Sequence, residues 1–215
     1  CRVCVVKVLD ARTLAAACAT PVSEGMDVMT NSLSVRTARK HIIELLLSEH
    51  KADCTKCYKN GTCELQNLAN EYSVGDHILI DLVPFHAHKK DITSPSLIKD
   101  DSKCIRCQRC VRTCAELQGV NALVVANKGA EMKISSFFDK PMYEVVCTNC
   151  GQCINRCPTG ALVERNYIDE VWEAILDPKK HVVVQTAPAV RIGLGEALGL
   201  EPGLRVTGKM VAALK

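Results

Sequence analysis

A string of small α+β modules, each gathered around its own cysteines, is the fold class that the sequence predicts. Three observations carry this expectation. Fourteen of the 215 residues are cysteine while aromatic residues make up only 4%, which places much of the order in cysteine-held centres rather than in one large apolar core. The cysteines fall into groups with the short spacings of metal ligands. Residues 167–215 contain none at all, so the composition changes sharply toward the C-terminal end.

The central groups are the most specific. Cys104-x-x-Cys107-x-x-Cys110-x-x-x-Cys114 is followed, after a 32-residue interval, by Cys147-x-x-Cys150-x-x-Cys153-x-x-x-Cys157-Pro158. Three cysteines two residues apart can curl a loop around one face of an iron-sulfur cube, and in two-cluster ferredoxins the last cysteine of each run ligates the other cluster. The expected pairing is therefore crossed. Cys104, Cys107, Cys110 and Cys157 would hold one 4Fe-4S centre, and Cys147, Cys150, Cys153 and Cys114 the other. Four-cysteine zinc sites are the alternative, but zinc modules seldom use four cysteines at this spacing.

The remaining modules follow in chain order. Residues 1–33 read as the remainder of a plant-type 2Fe-2S ferredoxin-like domain. Cys1, Cys4 and Cys18 supply three thiolates, and the alternating run Val5–Val8 is a strand leaving the metal loop. The fourth ligand is expected upstream of residue 1, since the chain opens on a cysteine inside a motif. Alone, these three cysteines would fit a zinc ribbon or redox pair as well. Residues 34–75 form a helical module. Val35, Ala38, Ile42, Leu45 and Leu46 recur at helical spacing behind Ser34 as N-cap, and a second helix opens at Cys63 through Leu65, Leu68, Ala69 and Tyr72. Between the helices lies His50-x-x-x-Cys54-x-x-Cys57-x-x-x-x-x-Cys63, a donor set that suits structural zinc or a His-ligated 4Fe-4S centre; its neighbours decide for iron.

Residues 76–99 are a connector with a short strand expected at 76–81, and His77, His86 and His88 there read as solvated rather than as ligands. Residues 100–166 form the two-4Fe-4S ferredoxin-like domain. Strands at 122–125 and 132–134 flank the turn Asn127-Lys128-Gly129. Lys103, Arg106, Arg109 and Arg112 punctuate the first run, offsetting cluster charge on a solvated face or offering a basic landing surface. Residues 167–215 begin an α/β domain: an amphipathic helix from Ile168 stopping at Asp177-Pro178, a buried strand His181–Gln185, and a final helix from Gly208. The pair Gly193-Leu194-Gly195 does not complete a dinucleotide fingerprint, because the third glycine falls one residue late at Gly199.

Grouped cysteines and the lack of a signal peptide oppose a secreted disulfide framework and favour a reducing cytoplasm. No apolar run is long enough to span a bilayer. The formal charge of +3 would become net negative, on the order of −4, once thiolate-bound centres are in place, which excludes a general nucleic-acid binder.

On these motifs the chain resembles the multi-cluster FeFe-hydrogenases, especially large subunits of NAD(P)-linked and electron-bifurcating enzymes. The resemblance extends over Cys1-Arg-Val-Cys4 to Cys18, the His50 box, both cysteine runs with Cys157-Pro-Thr-Gly-Ala-Leu162, and Val184-Gln-Thr-Ala-Pro-Ala-Val-Arg191 with Thr207-Gly-Lys-Met210. The first three modules are shared with large subunits of respiratory complex I and some formate dehydrogenases; the two complete runs and the tail favour hydrogenase. The resemblance implies an oxidoreductase subunit whose relay carries one 2Fe-2S and three 4Fe-4S clusters, with residues 167–215 starting the H-cluster domain. It also implies a hetero-oligomer containing a flavin- and iron-sulfur-bearing NADH dehydrogenase-type subunit and a small 2Fe-2S subunit, with ferredoxin as a further partner. No cysteine follows Cys157, so the H-cluster and all catalytic residues are expected beyond Lys215.

Overall fold

The structure is a computed structural model that describes residues 1–75 and 90–214. The strand expected at 76–81 and the histidines His77, His86 and His88 lie outside the described residues. The chain divides into two compact units, residues 1–165 and 166–215.

The first unit opens with a three-stranded antiparallel sheet of order β2-β1-β3, formed by β1 (Val5–Val8), β2 (Ala15–Ala16) and β3 (Val28–Met29). Helix α1 (Leu33–Ser48) packs beside it. Its N-cap is Ser32, not the expected Ser34: Ser32 is extended, so its hydroxyl reaches the Val35 amide at 3.4 Å, while Ser34 already sits in the first turn. The buried face is also rotated from the expected one. Val35, Ile43 and Leu47 are buried and Leu45 is exposed, because Arg39 shares the inward face. Its guanidinium donates to the Val5 carbonyl at 2.9 Å and to the Tyr72 hydroxyl at 3.2 Å. An arginine that hydropathy assigns to solvent thus ties the sheet to α1 and to the end of helix α2 (Glu64–Glu71). Ile43, Leu47, Cys63, Leu65 and Tyr72 form the small core beneath.

The second part of this unit closes like an envelope. Strand β5 (Leu97–Asp100) precedes the first cysteine run and β8 (Leu162–Glu164) follows the second, and the two pair antiparallel with Ile98 opposite Val163. Short β4 (Lys90–Asp91) completes this sheet on the other side of β5. The expected hairpin forms as β6 (Leu123–Ala126) and β7 (Lys133–Ser136). Helices α3 (Arg109–Arg112) and α4 (Gln152–Arg156) pack on each other. Leu97, Cys110, Leu123, Ile134, Met142, Ile154 and Leu162 fill the space between, with Cys104, Cys147, Cys153 and Cys157 packed against them.

In the second unit, α5 (Ile168–Leu176) stops before Pro178 as expected, and α6 (Val190–Ala197) and α7 (Thr207–Leu214) follow. The expected buried strand at 181–185 is absent. These residues are irregular and exposed, Val183 at 77%, because the described residues of this unit hold no strand to pair with them. The described part of the unit is thus helical rather than α/β. Gly193 and Gly195 lie inside α6, where Gly195 gives room to Val206: a Cβ there would stand 3.1 Å from Val206 Cγ1. That is a packing role.

Arg39→Met should remove the charged hydrogen bonds that hold β1, at a cost of about 1.5–3 kcal/mol. Hydrogen exchange is expected to accelerate across residues 5–8 and stay unchanged across the β5–β8 ladder.

Candidate metal centres

The two cysteine runs adopt one repeated backbone path. In the first, Arg106 and Gln108 take left-handed φ values of 54° and 64°; in the second, Asn149 and Gly151 take 56° and 73° at the matching places, two and four residues after the leading cysteine. Each path then enters a short helix, α3 or α4. Alternating left-handed residues turn successive amides toward the inside of the loop, which makes a concavity for negative charge. The Arg106 amide accordingly donates to Cys104 Sγ at 3.4 Å. Asn149 is held from outside, its carbonyl oxygen accepting from Ser94 Oγ at 3.1 Å and Ser96 Oγ at 2.9 Å.

Register brings the runs together. The Asp100 amide donates to the Ala161 carbonyl at 2.8 Å, which sets Cys104, four residues on, beside Cys157, four residues back. The result is a pocket lined by Cys104, Cys107, Cys110 and Cys157 with Leu123, Ile134 and Leu162. Packing of α3 on α4 produces a second, lined by Cys114, Cys147, Cys150 and Cys153 with Leu97 and Met142. These are the two crossed sets read from the spacing.

All fourteen cysteines are free thiols. Burial pushes the Cys104 and Cys153 thiols up to about 11, and raises Cys107 and, furthest, Cys110; negative charge on the neighbouring cysteines adds to the effect at each. Four thiolates facing one another in a largely apolar pocket require a cationic core to ionise together. The donor set and the enclosed space fit a cluster. Among the described residues no three His, Cys, Asp or Glu side chains meet at a point that could hold a single metal ion.

The outer donors are placed differently. Cys1, Cys4 and Cys18 line a third pocket together with Arg2, Arg106, Arg109 and Arg112, and the Cys4 and Cys18 sulfurs are 3.3 Å apart. His50 lies just past the C-cap of α1, Cys54 begins a short 3-10 turn, Cys57 follows it, and Cys63 caps α2. Two of these meet the segment after Cys157: Cys63 Sγ lies 3.6 Å from the Pro158 carbonyl, and Cys57 Sγ lies where a Cβ on Gly160 would be, 2.6 Å from that point. His50 Nδ1 is buried without a hydrogen-bond partner among the described residues. Burial, then the Lys103 charge, lowers its pKa, so the imidazole is held neutral with a free lone pair, as a metal ligand requires.

Three of the four basic residues of the first run are ion-paired. Lys103 pairs with Asp53 at 2.9 Å, Arg106 with Glu49 at 2.6 Å and Arg109 with Glu64 at 2.7 Å. All three acids belong to the helical module, so the pairs stitch it to the two-run domain. Sequence reasoning missed Asp53 and Gly160. The available signal was adjacency, Asp53 to Cys54 and Gly160 within Cys-Pro-Thr-Gly.

Gly160→Ala should force Cys57 or its own backbone aside, with a loss of about 1–3 kcal/mol measured by chemical denaturation.

Comparison with known proteins gives these pockets a context. Residues 39–77 match the iron-sulfur binding region of NADH-ubiquinone oxidoreductase-G, residues 94–163 the ferredoxin-like domain of NADH-quinone oxidoreductase subunit 3, and residues 180–215 the C-terminal domain of the iron only hydrogenase large subunit. The chain is 51% identical over its whole length to the NADP-reducing hydrogenase subunit HndD of Solidesulfovibrio fructosivorans, of which it spans 36%. It is 35% identical over its whole length to iron hydrogenase 1 of Clostridium pasteurianum, spanning 37% of it. Over 78% of the chain it is 34% identical to the NADH-ubiquinone oxidoreductase 75 kDa subunit of Reclinomonas americana, spanning 23% of it. A solved NAD+-reducing [NiFe]-hydrogenase in the H2-reduced state superposes with a TM-score of 0.69 at 28% identity, covering 77% of this chain and 69% of that one. Taken together, the ferredoxin-like and hydrogenase matches make the chain similar, over its whole length, to a little more than a third of two hydrogenase chains, with residues 180–215 matching the C-terminal domain of the iron only hydrogenase large subunit.

Proposed function

We propose that this chain is the electron relay of an iron-only hydrogenase large subunit. One observation carries the reading: the crossed cysteine sets line two separate pockets on either side of one shared apolar core. Cys104, Cys107, Cys110 and Cys157 hold one 4Fe-4S cluster, and Cys147, Cys150, Cys153 and Cys114 a second. His50, Cys54, Cys57 and Cys63 hold a third, and Cys1, Cys4 and Cys18 contribute to a 2Fe-2S cluster. Such clusters, when bound, take up and give back one electron at a time.

The protein's own contribution is placement and exclusion. The left-handed loops aim amides at the sulfurs, apolar residues line both pockets, and the ion pairs fix the helical module against the two-run domain. The modules are residues 1–33, 34–75, 100–166 and the opening of the hydrogen-converting domain at 167–215, with 76–99 as connector. Electrons pass between an NAD(P)H-oxidising flavoprotein partner or ferredoxin and a hydrogen site outside this chain, in a cytoplasmic hetero-oligomer. The match of residues 180–215 favours hydrogenase over the complex I relay with which the earlier modules are shared.

Anaerobically purified full-length subunit is expected to be brown, with both iron and acid-labile sulfide bound; bound zinc without visible absorption would overturn the reading. Cys157→Ser should perturb the electron paramagnetic resonance signal of the Cys104 centre, and Cys114→Ser that of the Cys147 centre; the reverse would refute crossed ligation. Removing iron should abolish the native circular dichroism contributed by residues 100–160.

A further inference from the structure

Among the described residues Lys103 is the one charged residue that is buried, with 8% of its surface exposed. Its position is fixed at both ends. The backbone carbonyl accepts from Thr159 Oγ1 at 2.7 Å, and Thr159 is itself fully buried. The ammonium pairs with Asp53 Oδ1 at 2.9 Å. Gly160 leaves the space in which this happens: the point where its Cβ would stand is 2.6 Å from Cys57 Sγ and 3.5 Å from Lys103 Cδ. Burial works against the ammonium charge, but Asp53 and Cys57 together lift its pKa above the ordinary lysine value.

We propose that Lys103 sets the reduction potential of the centre held by His50, Cys54, Cys57 and Cys63, acting as a fixed positive charge that Asp53 holds against the sulfur of one ligand. The inference rests on the ligand assignment proposed above. Lys103 does not bind the iron; it acts through Cys57, as a second-layer partner that tunes a metal ligand. When the centre takes up one electron its charge falls by one unit, with no bond made or broken. A cation held nearby stabilises the reduced form more than the oxidised one, and so raises the potential. Asp53 opposes this from the other side of the same pair.

A purely structural role for the Lys103–Asp53 pair predicts the same consequence from losing either partner. A tuning role predicts opposite ones, and this separates the two. The test is a dye-mediated titration of the anaerobic full-length subunit with dithionite as the electron donor, the His-ligated centre being followed by its electron paramagnetic resonance signal. Lys103→Met is expected to make reduction about tenfold less favourable, a downward shift of about 59 mV for one electron. Asp53→Asn is expected to shift it upward, and Lys103→Arg to restore a value close to wild type.

Shifts of the same sign in Lys103→Met and Asp53→Asn, or no shift in either, would overturn the inference. If Lys103→Met loses its iron, Asp53→Asn decides alone: an upward shift supports the inference, and a downward or absent one overturns it. Wild-type subunit lacking the His-ligated signal would instead refute the ligand assignment, which keeps the two failures distinct.

Discussion

Mutual repulsion among buried sulfur atoms is the constraint on which the first unit depends. Burial, and after it the negative charge of neighbouring sulfurs, raises the pKa of Cys104, Cys107 and Cys110 in a pocket lined by Leu123, Ile134 and Leu162. Such a group is unfavourable as anions and of little use as neutral thiols, so the fold reaches its stable state with a positive core at that place. The rest of the architecture serves to gather those sulfurs. The β5–β8 ladder joins the chain before one run to the chain after the other, α3 packs on α4, and the left-handed loop residues turn amides inward.

Much of this was legible in the residues. The 2-2-3 spacing contained the crossed pairing, since three cysteines in one tight loop leave the fourth position to be filled from elsewhere. The hairpin around Asn127-Lys128-Gly129 and the helix ending at Asp177-Pro178 were equally plain, because turn and breaker residues act locally. What failed was non-local. The inward face of α1 includes Arg39, whose partners lie more than thirty residues away at Val5 and Tyr72. The stretch 181–185 has the composition of a buried strand, yet a strand exists only with a neighbour, and the described residues of its unit provide none. The basic residues of the first run looked like a surface property because their acidic partners Asp53, Glu49 and Glu64 are remote in sequence.

Those three ion pairs have differing weight. Arg109–Glu64 is about half exposed and contributes little by itself. Lys103–Asp53 is the most enclosed of the three on its basic side and lies where Cys57, Gly160 and Thr159 converge. The join between the helical module and the two-run domain thus passes directly beside Cys57. Packing and electrostatics cannot be separated there.

The two runs match in spacing and in loop path but leave their loops differently. Helix α3 runs on into a π-helical turn, Thr113–Leu117, that carries Cys114, whereas α4 ends at Cys157 before a proline. Cys114 Sγ therefore accepts from the Ala122 amide at 3.3 Å, while Cys157 Sγ has the Thr159 hydroxyl at 3.9 Å. A backbone dipole at close range draws density from one sulfur more strongly than a distant hydroxyl does from the other. Halves that look duplicated thus surround their last sulfur differently, and a single widened turn is enough to break the equivalence of a pseudo-symmetric pair.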